Sequence, residues 1–170
     1  MISFQLKFDI KTLLQKIFIF FCAFTITPSI FAQTWAVATS KHHADDRVIV
    51  IRYLNEFENG FDPKHYPDRV TLAWTYSGNK GMPSTDERMK MDKLEDTLQP
   101  LLTRDRLAEL TMVSTGNNIR QWTYYAKSVN SFKSALNQVY KELPDLKIKL
   151  QNSRDSEWSA YKSFKASVKE

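Results

Sequence analysis

The sequence predicts an α+β domain, a two-layer sandwich of one mostly antiparallel sheet with two helices on one face. Three observations carry that expectation. The chain alternates short β-branched runs with two longer segments of helical periodicity. Its punctuation is sparse, with four glycines and six prolines in 170 residues, so each break marks an element boundary. The last six elements follow the order β-α-β-β-α-β, the split β-α-β (ferredoxin-like) arrangement, with two strands ahead of it.

Residues 34–170 read in order as follows. TWAVATS, Thr34 to Ser40, is a first strand, and KHHADD a polar turn. RVIVIRYL, Arg47 to Leu54, is apolar on both faces, as a covered strand requires. A loop with Gly60, Pro63 and Pro67 leads to VTLAWTY, Val70 to Tyr76. There Val70, Leu72, Trp74 and Tyr76 share one face. Ser84 and Glu87 form a capping-box pair, and Met91, Leu94, Leu98 and Leu101 recur at helical spacing, giving a helix from Thr85 to Leu102 loosened at Pro100. LAELTMVST, Leu107 to Thr115, and IRQWTYYA, Ile119 to Ala126, flank a Gly116-Asn117-Asn118 hairpin turn. A second helix, capped by Asn130 or Ser131, carries Phe132, Ala135, Leu136, Val139, Tyr140 and Leu143, and Pro144 stops it. LKIKLQ, Leu146 to Gln151, turns its lysines outward, which suits an edge strand. A short C-terminal helix bears Trp158, Tyr161 and Phe164.

The N-terminus predicts export. Lys7, Lys11 and Lys16 precede the uncharged run Ile17 to Ile26, then Thr27, Pro28 and Ser29, and Ala32 offers a small residue for cleavage. Residues 1–33 therefore read as a signal peptide, and the protein as periplasmic or secreted. The uncharged stretch of 16 residues is short for a spanning helix, which takes roughly 20, so no membrane span is expected after cleavage. Retention as an anchor is the alternative. Cys22, the one cysteine, lies in that run behind bulky Phe21, which disfavours lipid attachment. The mature chain is thus cysteine-free, without disulfide, thiolate ligand or cysteine nucleophile. It keeps 21 basic and 18 acidic residues without a basic stripe, so nucleic acid is an unsuited partner.

The chain resembles the bacterial family catalogued as domain of unknown function 695. The matching features are Trp35, Arg52, Tyr66-Pro67, Gly81-Met82-Pro83, Leu94-Glu95, Gly116 with Arg120, Trp122, Tyr124 and Tyr125, and the closing Trp158 and Tyr161. Where the family is expected to carry Asp-Pro before the closing tryptophan, this chain has Asp155-Ser156-Glu157. The resemblance implies an α+β fold. It brings no activity and no catalytic residues.

No catalytic or metal constellation stands out, and no cofactor is expected. His42, His43, Asp45 and Asp46 cluster, but adjacent imidazoles on an extended chain point apart, so a solvated turn explains them better than a metal site. His65 sits alone in a loop. There is no Gly-x-Ser-x-Gly, Walker or dinucleotide loop. Arg120, Trp122 and Tyr124 share one strand face, with Trp74 and Tyr76 beside them as candidates for an open aromatic surface that binds a protein, glycan or small ligand. Packing of the same rings under the tail helix is the plainer alternative. Arg52 and Arg88 could clamp an anion or form surface ion pairs. The leading expectation is a non-catalytic binding module of the cell envelope. The alternative is a hydrolase of envelope material using Glu95 or Asp92 as a carboxylate base.

Overall fold

The computed structural model describes residues 32–41 and 47–168. The segment predicted to direct export lies outside these residues up to 31, as do His42, His43, Asp45 and Asp46. Six strands form one sheet: β1 (Thr34–Lys41), β2 (Val48–Glu56), β3 (Asp68–Thr75), β4 (Ala108–Gly116), β5 (Ile119–Ala126) and β6 (Ile148–Arg154). Their spatial order is β1-β2-β4-β5-β3-β6, and every neighbouring pair is antiparallel. Three helices accompany them: α1 (Thr85–Arg104), α2 (Val129–Glu142) and α3 (Ser159–Ser167). The α+β class with an antiparallel sheet is therefore as expected from the sequence. None of the described helices is long and apolar enough to cross a membrane.

The main core lies between the sheet and the pair α1–α2. Met91, Leu94, Leu98 and Leu102 of α1 and Phe132, Ala135, Leu136 and Val139 of α2 close over Val70, Leu72, Trp74, Val113, Trp122 and Tyr124. The opposite face carries a second, aromatic cluster. Tyr66, Tyr125, Trp158 and Tyr161 are buried there, with Phe57 and Phe61 packed against them. The sandwich is thus two-layered on one side only, because α3 and the β2–β3 loop add partial cover on the other.

Local chemistry explains most boundaries. Ser84 accepts from the Glu87 amide at 3.2 Å and starts α1. Only half of the expected capping box forms, since the Glu87 carboxylate turns instead to the Trp74 indole, 2.6 Å away. Pro100 lies within α1, and the helix runs past it to Arg104. The cap of α2 is Ser128, earlier than Asn130 or Ser131, because the Ser128 hydroxyl accepts from the Asn130 amide at 3.2 Å. β6 begins at Ile148, leaving Leu146 as core filling beside it. The β4–β5 turn needs positive φ at both central residues, and Asn117 and Asn118 supply it at 51° and 62°. Gly116 just before them has φ 151°, and a Cβ there would lie 2.5 Å from the Val48 carbonyl oxygen. A bulge between Leu110 and Met112 turns Thr111 inward, where its hydroxyl donates to the Thr123 carbonyl at 3.0 Å.

The last helix is fixed by one carboxylate. Asp155 accepts from the Ser159 amide at 2.7 Å, the Ala160 amide at 3.1 Å and the Tyr125 hydroxyl at 2.7 Å. Trp158 stands in the left-handed region at φ 57°, an uncommon conformation for a bulky residue. Stacking on Tyr125 at 3.9 Å and indole hydrogen bonds to the Tyr66 and Pro63 carbonyls, 3.0 and 3.1 Å, hold it there. Burial alone would raise the Asp155 pKa, but these donors outweigh it and hold the carboxyl below its ordinary range.

Candidate functional site

The helices do not cover the whole sheet. On the α1–α2 side the register places Trp35, Val37 and Thr39 of β1 beside Leu54, Arg52 and Val50 of β2. This β1–β2 wing extends beyond the strands that α1 and α2 close over. Trp35 is 37% exposed and Val37 64%, two of the three large apolar side chains so exposed among the described residues. The Arg52 guanidinium lies over the Trp35 ring, 4.9 Å from its centroid.

A polar network anchors that guanidinium. Arg52 donates to Glu95 of α1. The other Glu95 oxygen accepts from Arg120 at 3.2 Å and from the Trp122 indole at 2.8 Å. Arg120 also donates to Asp92 at 2.7 Å and lies 5.1 Å from the Trp122 ring centroid. Arg120 is only 9% exposed, so the network is a charged insert at the core's margin. One carboxylate thus joins the wing to α1 and β5.

The five predicted surface residues do come together, but as interior. Arg120, Trp122, Tyr124 and Trp74 are all buried on the face that α1 and α2 cover. Tyr76 is half-buried and donates to the Gly81 carbonyl at 3.0 Å. The expected open aromatic face is corrected accordingly: the helices cover Trp122 and Tyr124, and the C-terminal helix covers Tyr125 on the reverse. Burial, then the nearby Glu95 charge, pushes the Tyr124 hydroxyl far above its ordinary range. Arg52 forms the ion pair that was one of its two readings. Asp92 and Glu95 are engaged by arginines, and His65 stands exposed 3.6 Å from Asp62. Among the described residues no group of three or more histidine, cysteine, aspartate or glutamate side chains could hold a metal ion.

Two further features escaped the sequence. Gln33, Glu58, Phe61, Tyr66, Thr103, Arg106, Ala108 and Glu109 line a chamber of about 250 Å³ at one end of the sheet. Burial pushes the Glu109 carboxyl up to about 7, against the hydrogen bond from Gln33 that favours its charge. A wider hollow, about 1040 Å³, opens between the start of α1 and the α2–β6 loop. Trp74 and Met89 line it, and Lys90, Lys93 and Lys147 face Asp86, Glu87, Glu142 and Asp145 there. It lies away from the wing and carries charges of both signs.

Nine of the residues that carry the resemblance fall into two clusters, the network around Glu95 and the aromatic cluster on the reverse face. Trp35, Arg52, Glu95, Arg120 and Trp122 are one network, and Tyr66, Tyr125, Trp158 and Tyr161 the other. The profile of a family of unknown function, DUF695, matches residues 33–165. The chain belongs to that family. Among curated proteins, none matches it. Asp155, which stands where the resemblance expects an Asp-Pro, caps α3 through the Ser159 and Ala160 amides.

Proposed function

We propose that the domain is a non-catalytic binding module of the bacterial cell envelope, released behind a signal peptide of residues 1–33, and that its partner docks on the β1–β2 wing. The observation that carries this reading is the exposed pair Trp35 and Val37, set beside a guanidinium on a sheet face that the helices leave open. Apolar surface with a polar neighbour, held rigidly, is what a docking patch requires. Arg120 and Trp122 act from within: they donate to Glu95, and Glu95 positions Arg52, while Tyr124, Trp74 and Tyr76 fill the core beside them. The strand order β4-β5-β3-β6 and the helices between those strands favour a split β-α-β, ferredoxin-like core extended by β1 and β2.

The hydrolase alternative has less in its favour. The Glu95 oxygens accept from three donors, and Asp92 accepts from Arg120, so neither offers a disengaged base to a substrate. The test is photo-cross-linking in the producing cells. A photoreactive residue at Val37 is expected to give a discrete adduct, lost on Trp35→Ala, while the same probe at Lys149 gives none. Equal labelling at both positions would overturn the docking surface. The intact mass reports export: a chain starting near Gln33 supports it, and a full-length chain contradicts it.

A further inference from the structure

The sheet has two edges, and they are built differently. Among the described residues β6 pairs only with β3, and β1 only with β2. An open strand edge presents unpaired N–H and C=O groups, and proteins guard it with charges, above all lysine. β6 is guarded in this way. Lys149 projects from it to solvent, Lys147 precedes it, and Arg154 ends it in an exposed pair with Asp68. β1 is not. From Thr34 to Ser40 it has neither charge nor proline, and eight residues of extended chain lie along the edge. Among the described residues nothing pairs with its outer side.

Both faces of that edge are shaped for a neighbour. On the α1–α2 side stand Trp35, Val37 and Thr39. On the other side Ala36, Ala38 and Ser40 are small, and the end of α3 overhangs them. Phe164, Ser167 and Val168 there wall a hollow of about 830 Å³ with Ile51 and Tyr53.

We infer that β1 is a homodimer edge: two copies of this chain pair β1 to β1 in antiparallel fashion about a two-fold axis near Val37, joining two sheets into one. This rests on the binding-module reading and names its partner. The strand is self-complementary. Pairing near Val37 sets Val37 against its mate and Trp35 against Thr39, one continuous apolar stripe across the axis. Lys41, the one charge in β1, then lies along the Gln33–Thr34 end of the other copy. Glu56, which accepts from Thr34 at 3.2 Å and is exposed, stands at that end with the opposite charge. The small Ala36 and Ala38 leave room for the two α3 ends to approach over a shared floor. An isologous contact of this kind uses up both unguarded edges, and Lys149 of β6 with Lys147 before it blocks growth from the far sides. A closed dimer follows, not a fibre.

Sedimentation velocity of the purified full protein from 1 to 100 µM, the range set about a typical micromolar self-association, decides the matter. The expected species has twice the chain mass of 19.9 kDa, or twice the processed mass if the signal is removed. Val37→Lys, at an exposed position, places two ammonium groups on the axis and is expected to weaken the dimer at least tenfold while the circular-dichroism spectrum stays that of the wild type. Thr39→Glu, on the same face, serves if Val37→Lys fails to fold. A monomer throughout the range, or a dimer as tight in Val37→Lys as in wild type, overturns the inference. A monomer that still yields a Val37 adduct with a different protein sinks the dimer and leaves the binding module standing. A monomer without any adduct sinks both.

Discussion

Replacing Glu109 by glutamine is expected to stabilise the domain in alkaline solution and to change little in mild acid. The native carboxyl keeps its proton up to about pH 7, whereas in the unfolded chain it ionises near its ordinary value of 4.5. Between those values the folded state binds more protons, so stability falls as pH rises. Fully integrated, the gap at 1.36 kcal/mol per pH unit amounts to about 3 kcal/mol lost above pH 7. Burial in the chamber is the main cause, and the nearby Glu58 adds to it. Water entering a space of about 250 Å³ would screen part of this, so about 2 kcal/mol is the working figure. Glutamine mimics the protonated acid and still accepts from Gln33. Urea denaturation of wild type and Glu109→Gln at pH 5, 6, 7 and 8 measures the difference directly, since groups common to both chains cancel. The variant should gain about 2 kcal/mol on wild type between pH 5 and 8. A difference that is flat across this range would refute the reasoning.

The charged insert gives a second expectation. Glu95→Leu removes one carboxylate and leaves buried Arg120 with Asp92 alone, at an expected cost of about 3–5 kcal/mol in denaturant unfolding. Adding Arg120→Met to it should restore part of that loss, and strict additivity of the two changes would contradict a shared network. Asp155→Ala withdraws three hydrogen-bond acceptances from α3 and Tyr125. It should lower amide-exchange protection of residues 159–167 far more than that of β5, and an even loss across the domain would mean that α3 does not open by itself. Gly116→Ala meets both a backbone clash with Val48 and an unfavourable φ, so a cost of about 2 kcal/mol or more in thermal unfolding is expected.

Much of the fold was legible because the pattern is local. Twofold alternation marked β3 and β5, threefold and fourfold spacing marked α1 and α2, and the pair of asparagines after Gly116 marked the turn between β4 and β5. The outward Lys149 announced an edge strand, and β6 is one. The faces were not legible. Alternation separates Arg120, Trp122 and Tyr124 from Gln121, Thr123 and Tyr125, but it does not say which set meets α1. Nor does it say that α3 crosses to cover the other set. The network around Glu95 joins residues 25 to 43 positions apart, with nothing in spacing to link them. Likewise Glu109 is one carboxylate among many until the Tyr66 loop and Arg106 enclose it.

The Tyr161 hydroxyl bonds to the Leu54 carbonyl, 107 positions earlier in the chain, and Trp158 reaches Tyr66 across 92. The stitch that covers Phe57, Phe61 and Tyr125 is therefore synthesised after all six strands of the sheet. A ribosome halted before Asp155 would yield a product with these rings bare to water, prone to clumping and open to proteolysis. Assembly of so non-local a closure is slow by topology. Quality control in the cell then has a simple criterion: whether residues 155–168 have found their place.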